Sequence, residues 1–148
     1  MGIFGNVFKG RAAEVANKFS GNTDFLEGLC AGAALSAGAE GGIDDAEYDA
    51  ALEQVRSNKL VAGAFDLRAV ETTFGKMAPK TKSRSGRNEL KNEIREVVAR
   101  DRTGEMGEAI VLVMLDVADV GGISAEEEKI MREVADICGV SYDKIANG

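Results

Sequence analysis

The chain of 148 residues contains no histidine and no tryptophan. Without histidine it cannot form the Ser–His or Cys–His pairs that activate many protein nucleophiles. It also has no Gly-Lys-Ser/Thr phosphate loop and no nucleophile elbow. Six phenylalanines and two tyrosines supply few rings for stacking a sugar in a glycosidase cleft. The sequence therefore predicts a protein without catalytic residues.

Long apolar runs and an excess of positive charge are also missing. The longest apolar run, AIVLVML, stops at Asp116, whereas a membrane span needs about 20 residues. Arg11 and Glu14 lie where a signal peptide would keep its apolar stretch. The net charge of −7 disfavours nucleic-acid binding and favours cations or basic partners. We therefore expect a cytoplasmic protein with no transmembrane segment and no nucleic-acid partner.

Only two cysteines are present, and neither has the spacing of a metal site. Cys30 and Cys138 each lie in an apolar, helix-like stretch. Such residues are more often buried thiols in a reducing compartment than halves of a disulfide. We expect both thiols to be reduced.

What the sequence does contain is helical periodicity. Apolar residues recur at spacings of three and four, as in Leu90, Ile94 and Val97, and no sustained alternation of apolar and polar residues appears. The pattern predicts an all-α protein of about seven helices, with a short last turn from Ser141. The expected helices cover residues 3–19, 24–38, 45–57, 67–78, 88–100, 105–119 and 125–138.

A basic stretch, PKTKSRSGR at residues 79–87, interrupts this pattern. Its single proline and its Ser, Thr and Gly content are typical of an exposed linker. The linker divides one domain, residues 1–148, into halves of about 1–78 and 88–148.

Each half contains one copy of a short repeat, GGIDDAEYDA at 41–50 and GGISAEEEKI at 121–130. The repeat and the linker together predict an internal duplication, with helical hairpins related by a pseudo-twofold axis. Ser124 and Glu127 have the spacing of a capping box, in which each side chain accepts a backbone hydrogen bond from the other residue. Asp44 and Glu47 have the same spacing. One interpretation is therefore structural: the acidic residues only cap helices.

The repeats also match part of the EF-hand calcium loop, which has Gly at position six, an apolar residue at eight and Glu at twelve. Positions three and five of the second copy are Ala118 and Val120, which carry no side-chain oxygen, so a complete EF-hand is not expected. What remains is a set of carboxylates, and oxygen ligands favour Ca²⁺ or Mg²⁺ over zinc or copper. The candidate metal ligands are Glu40, Asp44, Glu47, Asp116, Asp119 and Glu127.

The order of these features resembles the tellurite-resistance TerB family. The resemblance covers nearly the whole chain and is carried by four segments, GIFGNVFKGRAAEVANKF, FLEGLCAGAALSAGAEGGIDDAEYDAALEQV, SNKLVAGAFDLRAVETTFGKM and AIVLVMLDVADVGGISAEEEKIMREVADICGVS. Its most specific part is a helix of small residues that leads into an acidic glycine turn and a run of glutamates.

The resemblance implies an all-helical, duplicated cytoplasmic protein that binds divalent cations through acidic residues and has no catalytic activity. It also implies partner proteins of the Ter type, some of them at the inner membrane. The family usually has Asp-Gly at each turn, whereas this chain has Glu40-Gly41 in the first and Asp119-Val120-Gly121 in the second. A shift of one residue on a helix rotates a side chain by about 100°. Two functions therefore stay open: a metal-binding stress-response protein and a helical interaction module.

Overall fold

Helices follow one another with short connections through the parts of the chain that the structure describes, residues 12–119 and 122–147 of a computed structural model. No β-strand occurs within these residues, so the all-α prediction is confirmed. The α-helices are α1 (Ala12–Phe19), α2 (Thr23–Ala37), α3 (Asp45–Ser57), α4 (Lys59–Ala64), α5 (Leu67–Met77), α6 (Arg84–Ala99), α7 (Glu105–Ala118), α8 (Ala125–Cys138) and α9 (Tyr142–Asn147).

The two central helices, α2 and α7, are buried along almost their whole length. They pack closely because α2 has glycine at the points of contact. A Cβ on Gly32 would lie 2.8 Å from Ile110, and one on Gly28 would lie 3.2 Å from both Ile110 and Val97. The Gly-xxx-Gly spacing of α2 therefore serves helix packing. The other helices surround this pair, and α3 and α8 both contact it.

Polar residues at the helix starts explain where several helices begin. Asn22, Asn58, Asp66 and Ser83 each accept a hydrogen bond from a backbone N–H in the first turn of the following helix. These bonds satisfy N–H groups that have no partner within the helix. Asn58 is also the residue that separates α3 from α4.

The predicted linker at residues 79–87 is largely exposed, but it is helical instead of irregular. Ala78–Lys82 forms a 3₁₀-helix, and α6 begins directly after it at Arg84. Thr81 is fully buried, and its hydroxyl donates a hydrogen bond to the Ala78 carbonyl. Composition indicated a solvated stretch, but packing against α2 and α6 buries it in part.

Two further differences concern single helices. The six-residue helix α4 was not expected, because its length is below that at which periodicity is informative. The helix predicted over residues 3–19 is observed from Ala12 to Phe19, and its first part lies outside the described residues.

Within the described parts of the chain, no helix is both long and apolar enough to cross a membrane.

The two glycine turns occupy equivalent places in the two halves. The first turn joins α2 to α3, and the second joins α7 to α8. Gly41, Gly42 and Gly122 have φ values of 111°, 118° and 96°, a region that side chains with a Cβ rarely adopt. The isoleucines that follow differ: Ile43 packs against the core, whereas the side chain of Ile123 is 39% exposed.

Candidate site at the glycine turns

The structure distributes the six candidate ligands over two pockets and an exposed turn. Glu47 and Glu127 line one pocket, and Asp116 and Asp119 line another. Glu40 and Asp44 are exposed at the first glycine turn. Four of the six candidate ligands are therefore divided between two pockets.

The first pocket, which we call the glutamate pocket, lies where the two halves meet. It has a volume of about 150 Å³. Its walls come from the ends of α2 and α7, from the first two turns of α3 and from the first turn of α8. The lining residues are Ala37, Glu47, Ala50, Ala51, Val117 and Glu127. The repeat thus brings its two equivalent glutamates to one small cavity with otherwise apolar walls.

Both glutamates close capping boxes, as the spacing predicted. In the first half, Asp44 N–H donates to Glu47 Oε1 at 2.9 Å, and Glu47 N–H donates to Asp44 Oδ1 at 2.7 Å. In the second half, Ser124 N–H donates to Glu127 Oε1 at 2.8 Å, and Glu127 N–H donates to Ser124 Oγ at 3.1 Å. Each box uses Oε1 of its glutamate. Oε2 of each makes no hydrogen bond within the described residues.

The second pocket, which we call the acidic groove, runs between α7, α8 and α9 and has a volume of about 340 Å³. Asp116 accepts a hydrogen bond from Asn58 Nδ2 at 2.8 Å, which connects α7 to the start of α4. Asp119 lies one turn later and is exposed. The lining residues are Leu115, Asp116, Asp119, Ile123, Glu128, Arg132, Tyr142, Asp143, Ala146 and Asn147.

One corner of the acidic groove already holds a guanidinium group. Arg132 donates from Nε to Glu128 Oε2 at 3.2 Å and from Nη2 to Asp143 Oδ1 at 2.9 Å. Its Cζ lies 4.6 Å from the centre of the Tyr142 ring, a cation–π distance. Hydrogen bonds to Asp143 and Glu128 raise the pKa of Arg132 above its usual value.

Sequence analysis did not identify the hydrogen-bond partners of Arg132 and Asp116. The Glu128–Arg132 pair has the i, i+4 spacing of helical ion pairs and could have been found. The contacts of Arg132 with Asp143 and of Asn58 with Asp116 join different helices. Helical periodicity does not specify which helices meet, so it cannot predict such pairs.

The chemistry of the glutamate pocket fits a hard cation, since its polar groups are carboxylates. No three Asp, Glu or Cys side chains within residues 12–119 and 122–147 form a group that could hold a metal ion. A cation here would take two protein carboxylates and complete its shell with water. Mg²⁺ is commonly bound in this way, whereas Ca²⁺ usually takes six to eight oxygen ligands.

Neither cysteine lines the glutamate pocket or the acidic groove, and both are free thiols. Burial, and secondarily the charge of Glu27, raises the pKa of Cys30 to about 12. Burial alone raises the pKa of Cys138 to about 12. Neither thiol has the low pKa of a reactive cysteine.

Comparison of the chain with protein-family models, with curated proteins and with solved structures finds no match.

Proposed function

We propose that this chain is a non-catalytic protein of a tellurite- and stress-resistance system that binds a divalent cation and acts through partner proteins of the Ter type. The cation is Mg²⁺ or Ca²⁺, and its ligands include Glu47 and Glu127. The place of action is the cytoplasm, with partners at the inner face of the membrane. The resemblance of the sequence motifs to the TerB family supports the assignment to a tellurite-resistance system and to partner proteins of the Ter type.

The observation that carries cation binding is that Glu47 and Glu127, from different halves, line one pocket. A helix cap is a local device and needs no second cap beside it. Two carboxylates that share a site repel each other, and a divalent cation relieves that repulsion. The presence of both glutamates in the lining of one pocket therefore favours a role beyond capping.

The pocket favours Mg²⁺ within this proposal. Oε1 of Glu47 and Oε1 of Glu127 are engaged by backbone N–H groups, which leaves Oε2 of each for a cation. Two ligand oxygens and several water molecules suit Mg²⁺. The nearby carboxylates of the two turns add to the negative potential that attracts it.

A second function remains in competition, a helical protein–protein interaction module whose acidic residues only cap helices. The two complete capping boxes favour it, because they give each glutamate a sufficient structural role. In this case the pocket would be a by-product of the duplicated fold.

Isothermal titration calorimetry with Mg²⁺, Ca²⁺, Mn²⁺ and Zn²⁺ separates the two functions. Glutamine also closes a capping box, so the double variant Glu47→Gln, Glu127→Gln keeps both caps but loses two charges. We expect it to bind Mg²⁺ at least about tenfold more weakly than the unmodified chain, a difference of about 1.4 kcal/mol.

The matched control is Glu53→Gln, Glu96→Gln, which removes one exposed helical glutamate from each half. This control should keep the affinity of the unmodified chain. Full affinity in the Glu47→Gln, Glu127→Gln variant would show that these glutamates only cap helices, and the interaction module would then be the better account.

A further inference from the structure

The helices α2 and α6 pack against each other in opposite directions. Near the start of α2, Arg100 Nη1 donates a hydrogen bond to Asp24 Oδ2 at 2.5 Å. One turn further along α2, a Cβ on Gly28 would lie 3.2 Å from Val97 Cγ1. Residue numbers therefore rise along α2 as they fall along α6. The glycine lets the two backbones approach closely, so side chains on either side of this contact are near neighbours.

Two glutamates flank the contact without a basic partner. Glu27 directly precedes Gly28 on α2, and Glu93 lies one turn before Val97 on α6. Both side chains are partly buried. Within residues 12–119 and 122–147, neither carboxylate makes a hydrogen bond or an ion pair. Like charges at such a contact repel each other, and partial removal from water strengthens the repulsion.

The charges that act on Glu93 are mostly negative. Burial, and then the charges of Glu27 on α2 and Glu96 on α6, raise the pKa of Glu93 above its usual value. Asp24 on α2 acts in the same direction, although it is paired with an arginine. Lys80 of the 3₁₀-helix acts in the opposite direction and does not outweigh them.

The other elements packed against α6 do not neutralise this contact. Lys80 Nζ already lies 3.3 Å from Glu89 Oε2, an ion pair that takes up part of its charge. On α8, Glu133 Oε2 lies 2.7 Å from Lys91 Nζ. Within the described residues, no charged group of α7 or α8 acts on the pKa of Glu93.

We propose that Glu27 and Glu93 make the α2–α6 interface a proton-responsive contact, which is stabilised as the pH falls from neutral to mildly acidic values. Glu93 takes a proton from solvent, and its neutral carboxyl group no longer repels the carboxylate of Glu27. The inference is independent of cation binding in the glutamate pocket and of any partner protein.

The direction of the pH dependence follows from linkage. A glutamate whose pKa is higher in the folded than in the unfolded chain destabilises the fold while it is charged, that is, above the folded pKa. This destabilisation is lost as the pH falls through the folded pKa, and it is absent below the unfolded value of about 4.3. The effect of Glu93 on stability is therefore opposite to that of a carboxylate held by hydrogen bonds.

The first test is a ¹³C NMR titration of the side-chain carboxyl groups of the full chain between pH 8 and pH 4. Low ionic strength is used, because salt screens charge repulsion. We expect Glu93 to titrate with a midpoint above about 4.3, the usual value for glutamate. Glu27→Gln should lower this midpoint, whereas Glu53→Gln, an equal charge change on exposed α3, should leave it unchanged.

The second test is urea unfolding of Glu93→Gln, which removes the charge and nearly preserves the shape. This variant should be more stable than the unmodified chain at pH 7, and its advantage should fade as the pH falls towards 4. In a Glu27→Gln background the advantage of Glu93→Gln should be smaller, since the two carboxylates act on each other.

Three results would each overturn the proposal. They are a Glu93 midpoint at or below about 4.3, the same Glu93 midpoint in Glu27→Gln as in the unmodified chain, and no gain in stability at pH 7 in Glu93→Gln.

Discussion

Gly86 allows a close approach of two backbone segments at the junction between the two halves of the chain. A Cβ at this position would overlap the carbonyl group of Lys80. The close approach lets the 3₁₀-helix at Ala78–Lys82 turn directly into α6, where Ser83 Oγ accepts from Gly86 N–H at 2.9 Å. Sequence alone gave no sign of it, because glycine within a polar stretch is also typical of a loop.

Replacing Gly86 by alanine should therefore destabilise the protein by about 1–3 kcal/mol, the usual cost of overpacking. In an unconstrained helix the same change would stabilise, since glycine is a poor helix former. Urea unfolding of Gly86→Ala measures the effect, with Ser85→Ala, an exposed neighbour, as the control. A Gly86→Ala protein as stable as the unmodified one would contradict the close contact.

The burial of the two thiols predicts that they react slowly in the folded protein. Burial raises the pKa of both Cys30 and Cys138 to about 12, so little thiolate is present at neutral pH. Both should react slowly with a disulfide reagent such as 5,5′-dithiobis(2-nitrobenzoate) in the native state and rapidly in urea. Rapid labelling of either before unfolding would instead support a redox role.

The pKa of Asp101 predicts how the stability of the fold depends on pH. Partial burial acts to raise its pKa, but hydrogen bonds from the Thr103 hydroxyl and from the N–H groups of Met106 and Thr103 together lower it. A lowered pKa in the folded state stabilises the fold above the unfolded pKa of about 4. That stability is lost as the pH falls through the folded pKa.

Asp101→Asn should therefore lower stability at pH 7 and make it fall less between pH 7 and pH 3 than in the unmodified chain. Urea unfolding across this range measures both effects. Asp136→Asn, an exposed change on α8, is the control and should leave the pH dependence unchanged. Parallel curves for Asp101→Asn and the unmodified chain would rule out this role of Asp101.

At the scale of elements, the sequence was informative wherever a local signal existed. Helical periodicity predicted most helices, and the Ser-x-x-Glu and Asp-x-x-Glu spacings predicted the two capping boxes that the structure contains. The start of α6 at Arg84 and the burial of Thr81 were missed, because packing against other helices overrides the polar composition there.

The caps themselves can be tested by their effect on stability. Ser124→Ala should destabilise the protein by about 1 kcal/mol, because Glu127 N–H loses its acceptor. Ser124→Asp restores an acceptor and should recover most of the loss. Urea unfolding of the two variants measures the difference. Equal stability of Ser124→Ala and the unmodified chain would mean that the capping bond contributes nothing.

At the scale of the molecule, the two copies of the repeat lie at corresponding turns of the fold, between α2 and α3 and between α7 and α8. Glu47 and Glu127 have equivalent positions in the repeat, and the two residues line one pocket. The placement of Asp116 and Asp119 in a separate groove was not foreseen, since it depends on how α9 packs beside α7 and α8. Local spacing identified residues, and the packing of helices decided which of them share a pocket.

The most direct test of cation binding is the effect of Mg²⁺ on thermal unfolding. At a hundred times its dissociation constant, a cation that binds only the native state adds about 2.7 kcal/mol of stability. For a chain of 148 residues this raises the melting temperature by about 5–10 °C relative to EDTA. The account predicts this rise for the unmodified chain and a much smaller one for Glu47→Gln, Glu127→Gln. An equal response of the two proteins, or no response of either, would contradict a cation site in the glutamate pocket.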